Sequence, residues 1–311
     1  MIDFIKIVIT DSVLVQRLWT NPLLYFKNEI DKLDNATGEI INKKTKQFEG
    51  VTFKKEPHQP KDQKEGLERL IICFKPHYWF NHNKHNANIF RTIDCIKTIE
   101  RFLRLFQLNK FNFKSLRIIN LEYGVNFILP GYGKDLISYD CYHSRNEFIR
   151  DRELQFSKIS FSYNRKGKPN TYRQIKFYSK GFQFPVYCDK DTLRFEVRTK
   201  QSKKINSLGI INIGDLLNRE VYENIKLDII SSVRNTHIID RNPKTDKLSK
   251  REKNLLNKYS NAGFWFDALN NNRTSAFNEK KKLYLKYLDK TGFNLNSHFF
   301  EKISENLNLF S

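Results

Sequence analysis

Between Thr171 and Lys200 the chain reads TYRQIKFYSKGFQFPVYCDKDTLRFEVRTK, two runs in which apolar and polar side chains alternate. A period of two is that of a strand with one face buried. Ile175 and Phe177 fall on one side of the first run, and Gln174, Lys176, Tyr178 and Lys180 on the other. In the second run Leu193, Phe195 and Val197 oppose Arg194, Glu196 and Arg198. If the apolar sides share a core, the polar sides meet on one open face holding a phenol, a carboxylate and several cations. A tyrosine hydroxyl can attack a phosphodiester, a carboxylate can hold a divalent metal, and cations can hold a phosphate backbone. The chemistry expected of this face is the nicking of DNA.

A phenol ionises near pH 10 and is a poor nucleophile at neutrality, so Tyr178 needs company that stabilises developing negative charge. Lys176 and Lys180 stand two residues to either side of it. Tyr172, six residues earlier, has the same parity and is the rival nucleophile. A second acid comes from Leu116 to Leu129, where Glu122 and Asn126 alternate with Leu121, Tyr123, Val125 and Phe127. Two carboxylates on the polar sides of separate strands suit Mg2+ or Mn2+, which take oxygen ligands. The basic turn Arg165, Lys166, Lys168 and the run Lys200, Lys203, Lys204 flank the proposed face and would position a DNA strand. Lys176, Arg194 and Arg198 would add their charge on the face itself.

The elements needed to carry these residues follow from periodicity. Ile2 to Thr10 reads as a strand, Ser12 to Trp19 as a short helix, Leu67 to Lys75 as a second strand ended by Pro76. His77, His82 and His85 then fall at a strand end, before an amphipathic helix between Ile89 and Leu108. Residues 34–66 are read as an exposed connection, with a weak hairpin around Ala36-Thr37-Gly38. Asp135 to Asp151 starts as a helix and turns irregular, and Phe156 to Tyr163 is a strand. After Lys200 the alternation stops. Helices follow at Ile213 to Val233, Ser249 to Tyr259, Phe264 to Leu269 and Thr274 to Leu288. The expected class is α+β: a central antiparallel sheet with flanking helices, then a helical C-terminal region. The expected boundary separates a nicking domain, 1–205, from a helical part, 206–311. A helix-turn-helix with Gly263 at its turn and Arg273, Lys280, Lys281 and Lys282 toward DNA is one reading of that part; a plain helical cap is the other.

The 311 residues carry 55 Lys and Arg against 34 Asp and Glu, a formal charge of +21, which favours a polyanionic partner. Four cysteines without a CxxC pair exclude the usual zinc-ribbon spacing and a disulfide framework, and point to a reducing cytoplasm. No apolar run approaches the roughly 18 residues that cross a membrane, and the alternating N-terminus is not that of a signal peptide.

Taken in order, MIDFIKIVITDS, KPHYWFNHNKHNANIF, INLEYGVNF, RQIKFYSK and LRFEVRTKQSKKINSLGI resemble the gene II replication initiators of filamentous phages, the phage/plasmid replication protein II/X family. The likeness covers about residues 1 to 217; founding members carry Asp where this chain has Glu122. The resemblance implies a nickase or Rep-like fold with Tyr178 as nucleophile and Lys180 beside it. It implies Glu122 and Glu196 as metal ligands, with His85 as a third. The wider histidine-motif nickases use two histidines around a hydrophobic residue, and this chain has no such triplet, so a mixed carboxylate and histidine site is expected. The implied activity is a metal-dependent, rolling-circle replication initiator, without a nucleotide cofactor. It would nick one strand of a supercoiled origin, hold its 5′ end as a phosphotyrosyl ester and rejoin it at termination. The partners implied are origin DNA and the host helicase and polymerase. A non-catalytic origin-binding protein and a conjugative relaxase are the competing readings.

Overall fold

A computed structural model describes residues 1–27, 32–33, 40–41, 45–58, 67–271 and 273–309. Ten strands form the main sheet: β1 (Ile2–Ile9), β2 (Tyr25–Phe26), β3 (Thr45–Phe48), β4 (Val51–His58), β5 (Leu67–Phe74), β6 (Arg117–Ile128), β7 (Ile149–Arg150), β8 (Ser157–Tyr163), β9 (Pro169–Ser179) and β10 (Thr192–Thr199). Their spatial order is β7-β8-β9-β10-β6-β1-β5-β4-β3-β2, and every pairing is antiparallel. The α+β class with a large antiparallel sheet, flanking helices and a helical C-terminal region is therefore observed.

The helices are α1 (Ser12–Trp19), α2 (Pro76–Phe80), α3 (Thr92–Leu105), α4 (Lys180–Gln183), α5 (Ser202–Asn206), α6 (Arg219–Arg234), α7 (Lys250–Tyr259), α8 (Ala262–Asn271), α9 (Thr274–Lys290) and α10 (Leu295–Asn308). The central strands are rich in β-branched and aromatic residues, which suit a pleated, buried surface. Ile5, Leu121, Val125, Phe177, Phe195 and Val197 all face one core, which α1, α3, α6 and α10 close with their apolar stripes. Phe299 of α10 sits in the middle of that face, its ring 5.4 Å from Phe127, 5.5 Å from Phe177 and 6.2 Å from Phe195.

Expectations for the 34–66 connection and for the C-terminal part change. Residues 45–58 are no mere connection: they form β3 and β4 and extend the sheet beyond β5. Their sequence, with Lys54, Lys55, Glu56 and Pro57, lacks the apolar alternation of an inner strand, and pairing with β5 supplies the order that pattern did not reveal. The turn expected at Ala36-Thr37-Gly38 lies outside the described residues, between the paired segments Lys32–Leu33 and Ile40–Ile41. Position 205 does not separate two cores. α6 and α10 complete the core under the sheet, while a second core around Trp265, Phe277, Tyr284 and Leu288 holds α7, α8 and α9. The two parts are stitched by Thr236–Ile238, which pairs with Cys141–His143. Gly263 lies inside the first turn of α8 instead of at a turn between helices, and Lys281 donates to the Arg234 carbonyl at 3.4 Å. Among the described residues no helix is long and apolar enough to cross a membrane.

Candidate functional site

Register decides which side chains meet. Tyr178 of β9 lies opposite Arg194 of β10, and Lys176 opposite Glu196, so the phenol and the acid are diagonal neighbours on one face. β10 then pairs with β6, placing Arg198 opposite Glu122, Glu196 opposite Gly124 and Arg194 opposite Asn126. Gly124 is required where it stands. A Cβ there would lie 2.3 Å from the Phe195 carbonyl oxygen and 2.9 Å from the Glu196 Cα.

The Tyr178 hydroxyl donates to Glu196 Oε2 at 2.9 Å. The same carboxylate oxygen accepts from Arg194 Nε at 3.3 Å. Arg194 donates to Asn126 Oδ1 at 2.7 Å and pairs with Asp3. Asp3 in turn lies 3.4 Å from His77 Nδ1, whose other ring nitrogen bonds Asn88 Oδ1 at 2.8 Å. Asn126 is itself held by the carbonyls of Asn86 and Asn88. Lys180 bonds Asn86 Oδ1, donates to Gln183 Oε1 at 2.9 Å, and stands 4.9 Å from the centre of the Tyr178 ring.

These groups border a cavity of about 260 Å³ whose lining includes Asp3, Glu122, Lys176, Tyr178, Lys180 and Glu196. The polar face is therefore roofed, not open as expected: Lys75, Tyr78, Asn86, Glu153 and Gln183 complete its wall, and Tyr178 is only 5 % exposed. The segment following α2, the 151–154 loop and α4 fold over the face, and no strand periodicity reports such a cover.

Burial sets the electrostatics. The Glu196 carboxyl is pushed up to about 7, first by loss of water and then by the charges of Glu122 and Asp3. Desolvation and the neighbouring Glu196 raise the Tyr178 phenol well above its ordinary value. Burial and the Arg194 charge bring Lys180 down to about 7. Glu122 is raised by burial, against the charge of Arg198, whose Nε forms an ion pair with it at 2.8 Å.

The other expected residues fall in different places. His85 is not in the cavity lining. Its Nδ1 accepts from the Ala87 N–H at 3.3 Å and its ring stacks on Tyr187 at 4.1 Å. Tyr172 also lies outside that lining. Arg194, 1 % exposed, is consumed by buried ion pairs and cannot serve as a DNA contact. Lys204 is buried against Asp228, and so is likewise withdrawn from a surface strand. Lys176 is largely buried and paired with Asp151 at 3.3 Å and Glu153 at 3.5 Å. Arg165, Lys166, Lys168 and Lys203 are exposed, and Arg198 is half-buried.

Asp3 and Asn86 are site residues that motif reading missed, while His77, read at a strand end, stands behind Asp3. Asp3 had a signal: strict alternation would put it on the apolar side with Ile5, Ile7 and Ile9. The register shifts between Ile2 and Phe4, and both Asp3 and Phe4 border the cavity. Irregularities of this kind re-aim side chains beside active sites.

The donor set suits a hard divalent cation in kind, because Glu122, Glu196 and Asp3 bring carboxylate oxygens to one cavity, and Glu122 and Asp3 raise the proton affinity of Glu196. Among the described residues, however, no three His, Cys, Asp or Glu side chains converge as a metal-binding group, and arginine takes up each acid.

No family model matches the chain, and no curated protein matches it. A solved structure, a rolling circle replication initiator protein from Geobacillus stearothermophilus, is similar at 13% identity with a TM-score of 0.35, over 87% of this chain and 94% of its own.

Proposed function

We propose that the protein is a rolling-circle replication initiator that nicks one DNA strand at an origin through Tyr178. The observation that carries this reading is the 2.9 Å hydrogen bond from the Tyr178 phenol to Glu196, inside a cavity shared with Glu122, Lys176 and Lys180. A phenol hydrogen-bonded to a buried carboxylate whose own proton affinity is raised has a general base in place.

In the forward step the phenol proton passes to Glu196 as Tyr178 Oη bonds to phosphorus. The bond from phosphorus to the 3′ oxygen breaks, and that oxygen leaves as a hydroxyl with a proton from Lys180, whose ammonium is acidic enough near neutrality. The 5′ end is then a phosphotyrosyl ester. Because the ester keeps the bond energy, attack by a 3′ hydroxyl can later rejoin the strand. Glu122 and Glu196 would hold Mg2+ or Mn2+, whose chemistry when bound is to polarise the scissile phosphate. Lys176 and Lys180 oppose the charge that accumulates on the phosphoryl oxygens. Exposed Arg165, Lys166, Lys168 and Lys203 position the duplex through its phosphates, and the freed 3′ hydroxyl would prime a host polymerase behind a host helicase.

The test is incubation with supercoiled origin DNA and Mg2+ or Mn2+. Wild type should relax the DNA and form a covalent adduct, Tyr178→Phe should do neither, and Tyr172→Phe should do both. An adduct that survives in Tyr178→Phe and vanishes in Tyr172→Phe overturns the choice of nucleophile. Burial of the phenol and pairing of every acid with a cation favour a second reading, an origin-binding protein that does not cut. Origin binding by wild type without any nicking would establish it.

A further inference from the structure

On the far side of α4 from the nucleophile lies a larger cleft of about 500 Å³, lined by Tyr132, Lys134, Asp135, Phe182, Lys190 and Asp191 among others. It falls inside the range of about 300–1,000 Å³ typical of small-ligand clefts. α4 is a single turn: Lys180 and Gln183 border the nucleophile's cavity, Gly181 and Phe182 border the cleft. A strand with a phosphate at Tyr178 would thus deliver its neighbouring nucleotide here.

The floor is preformed and held by backbone. A Cβ on Gly181 would stand 2.1 Å from the Lys190 carbonyl oxygen, and one on Gly133 would stand 2.6 Å from Asp191 Oδ1. Asp191 Oδ2 accepts the Gly131 N–H at 2.8 Å, which ties the two loops together. Phe182 is 41 % exposed although apolar, and its ring packs at 4.2 Å on Phe156. The loop after α4 also exposes Val186 at 86 % and Tyr187 at 45 %, outside the cleft lining. Lys134 and Lys190 are exposed at the cleft and supply the charge that a phosphate would meet.

We infer that this cleft binds one nucleotide of single-stranded DNA next to the cut, its base stacked on Phe182 and its phosphate against Lys134 and Lys190. Aromatic rings hold unpaired bases by stacking, and lysines track the backbone. The carboxylate of Asp135 argues against a bare polyanion. A carboxylate in the cleft accepts from a base N–H, which an unpaired cytosine offers at N4 and an unpaired thymine at N3, so it admits either base. This inference rests on the nicking reading for its place beside the cut, but its test does not require cutting.

Binding of fluorescein-labelled oligo-dC and oligo-dT to the full chain would be followed by anisotropy, without divalent cation. Wild type should bind both oligonucleotides. Phe182→Leu, which keeps apolar bulk without a ring, should weaken oligo-dC binding about tenfold, and Phe182→Tyr should retain it. Lys134→Ala should lower the slope of log affinity against log salt by about one. Unchanged far-UV circular dichroism and melting temperature would show that each variant folds. Oligo-dC affinity of Phe182→Leu within about twofold of wild type would overturn the proposal. A wild type that nicks while Phe182→Leu binds normally sinks the cleft alone. A wild type that never nicks, yet needs the Phe182 ring to bind, sinks the nicking reading and leaves the cleft standing.

Discussion

Tyr178, Glu196, Arg194, Asp3 and His77 form one unbroken chain of polar contacts beneath the cavity, and the energetics of single residues are decided along it. Arg194 is the centre. Its guanidinium neutralises two buried acids and binds Asn126, so Arg194→Met leaves both Asp3 and Glu196 without their buried counter-ion. Breaking a buried pair on one side costs about 3–5 kcal/mol, and urea unfolding of Arg194→Met should show a loss of that order. A loss below about 1 kcal/mol would mean that water reaches these acids freely. Glu196→Gln keeps the shape and removes the base. If Glu196 takes the phenol proton, the single-turnover rate of nicking should fall by about 10²–10⁴-fold while DNA affinity holds.

At the scale of elements, the close approach of β6 and β10 depends on Gly124. The methyl of Gly124→Ala meets the Phe195 carbonyl, which is backbone and cannot swing aside. Overpacking of this kind costs about 1–3 kcal/mol, read as a lower denaturation midpoint, and the displaced Glu196 should lower nicking as well. α10 makes the matching contribution from the other face. Phe299 is buried against three aromatic rings of the sheet, and Phe299→Ala should cost about 3–5 kcal/mol.

The whole molecule has two cores, and the second carries its own pH dependence. His237 is fully buried among Tyr142, Trp265 and Phe277, and neither ring nitrogen has a hydrogen-bond partner among the described residues. Burial, assisted by the charge of Lys281, holds its proton affinity well below the ordinary value. The folded state therefore binds fewer protons than the unfolded one below about pH 6.5, the unfolded value. Stability from this group is complete above that pH and is lost as pH falls. His237→Phe removes the liability, so it should narrow the gap between the melting temperatures at neutral and mildly acidic pH. An unchanged gap would show that His237 finds a proton acceptor. Because α6 and α10 close the main core, residues 1–205 expressed alone should not give a cooperative thermal transition.

Much of the sheet was legible because its strands bury one face and alternate accordingly: Ile175 to Val197 and Leu121 to Phe127 declare their buried sides, and with them the polar side that holds Tyr178, Glu196 and Glu122. That parity is a local property of the chain. What covers the face is not. Asn86, Tyr78 and Gln183 come from loops and single turns without period, and only tertiary packing converts an expected open surface into a cavity of about 260 Å³. The same packing takes Arg194 and Lys204 from the expected DNA contacts, since a cation's partners are fixed by what folds against it and not by its neighbours in sequence. It also gave α6 and α10 to the first core: the stripe of α6 was read and the helix of α10 was not, and in either case a stripe does not say which surface it will bury.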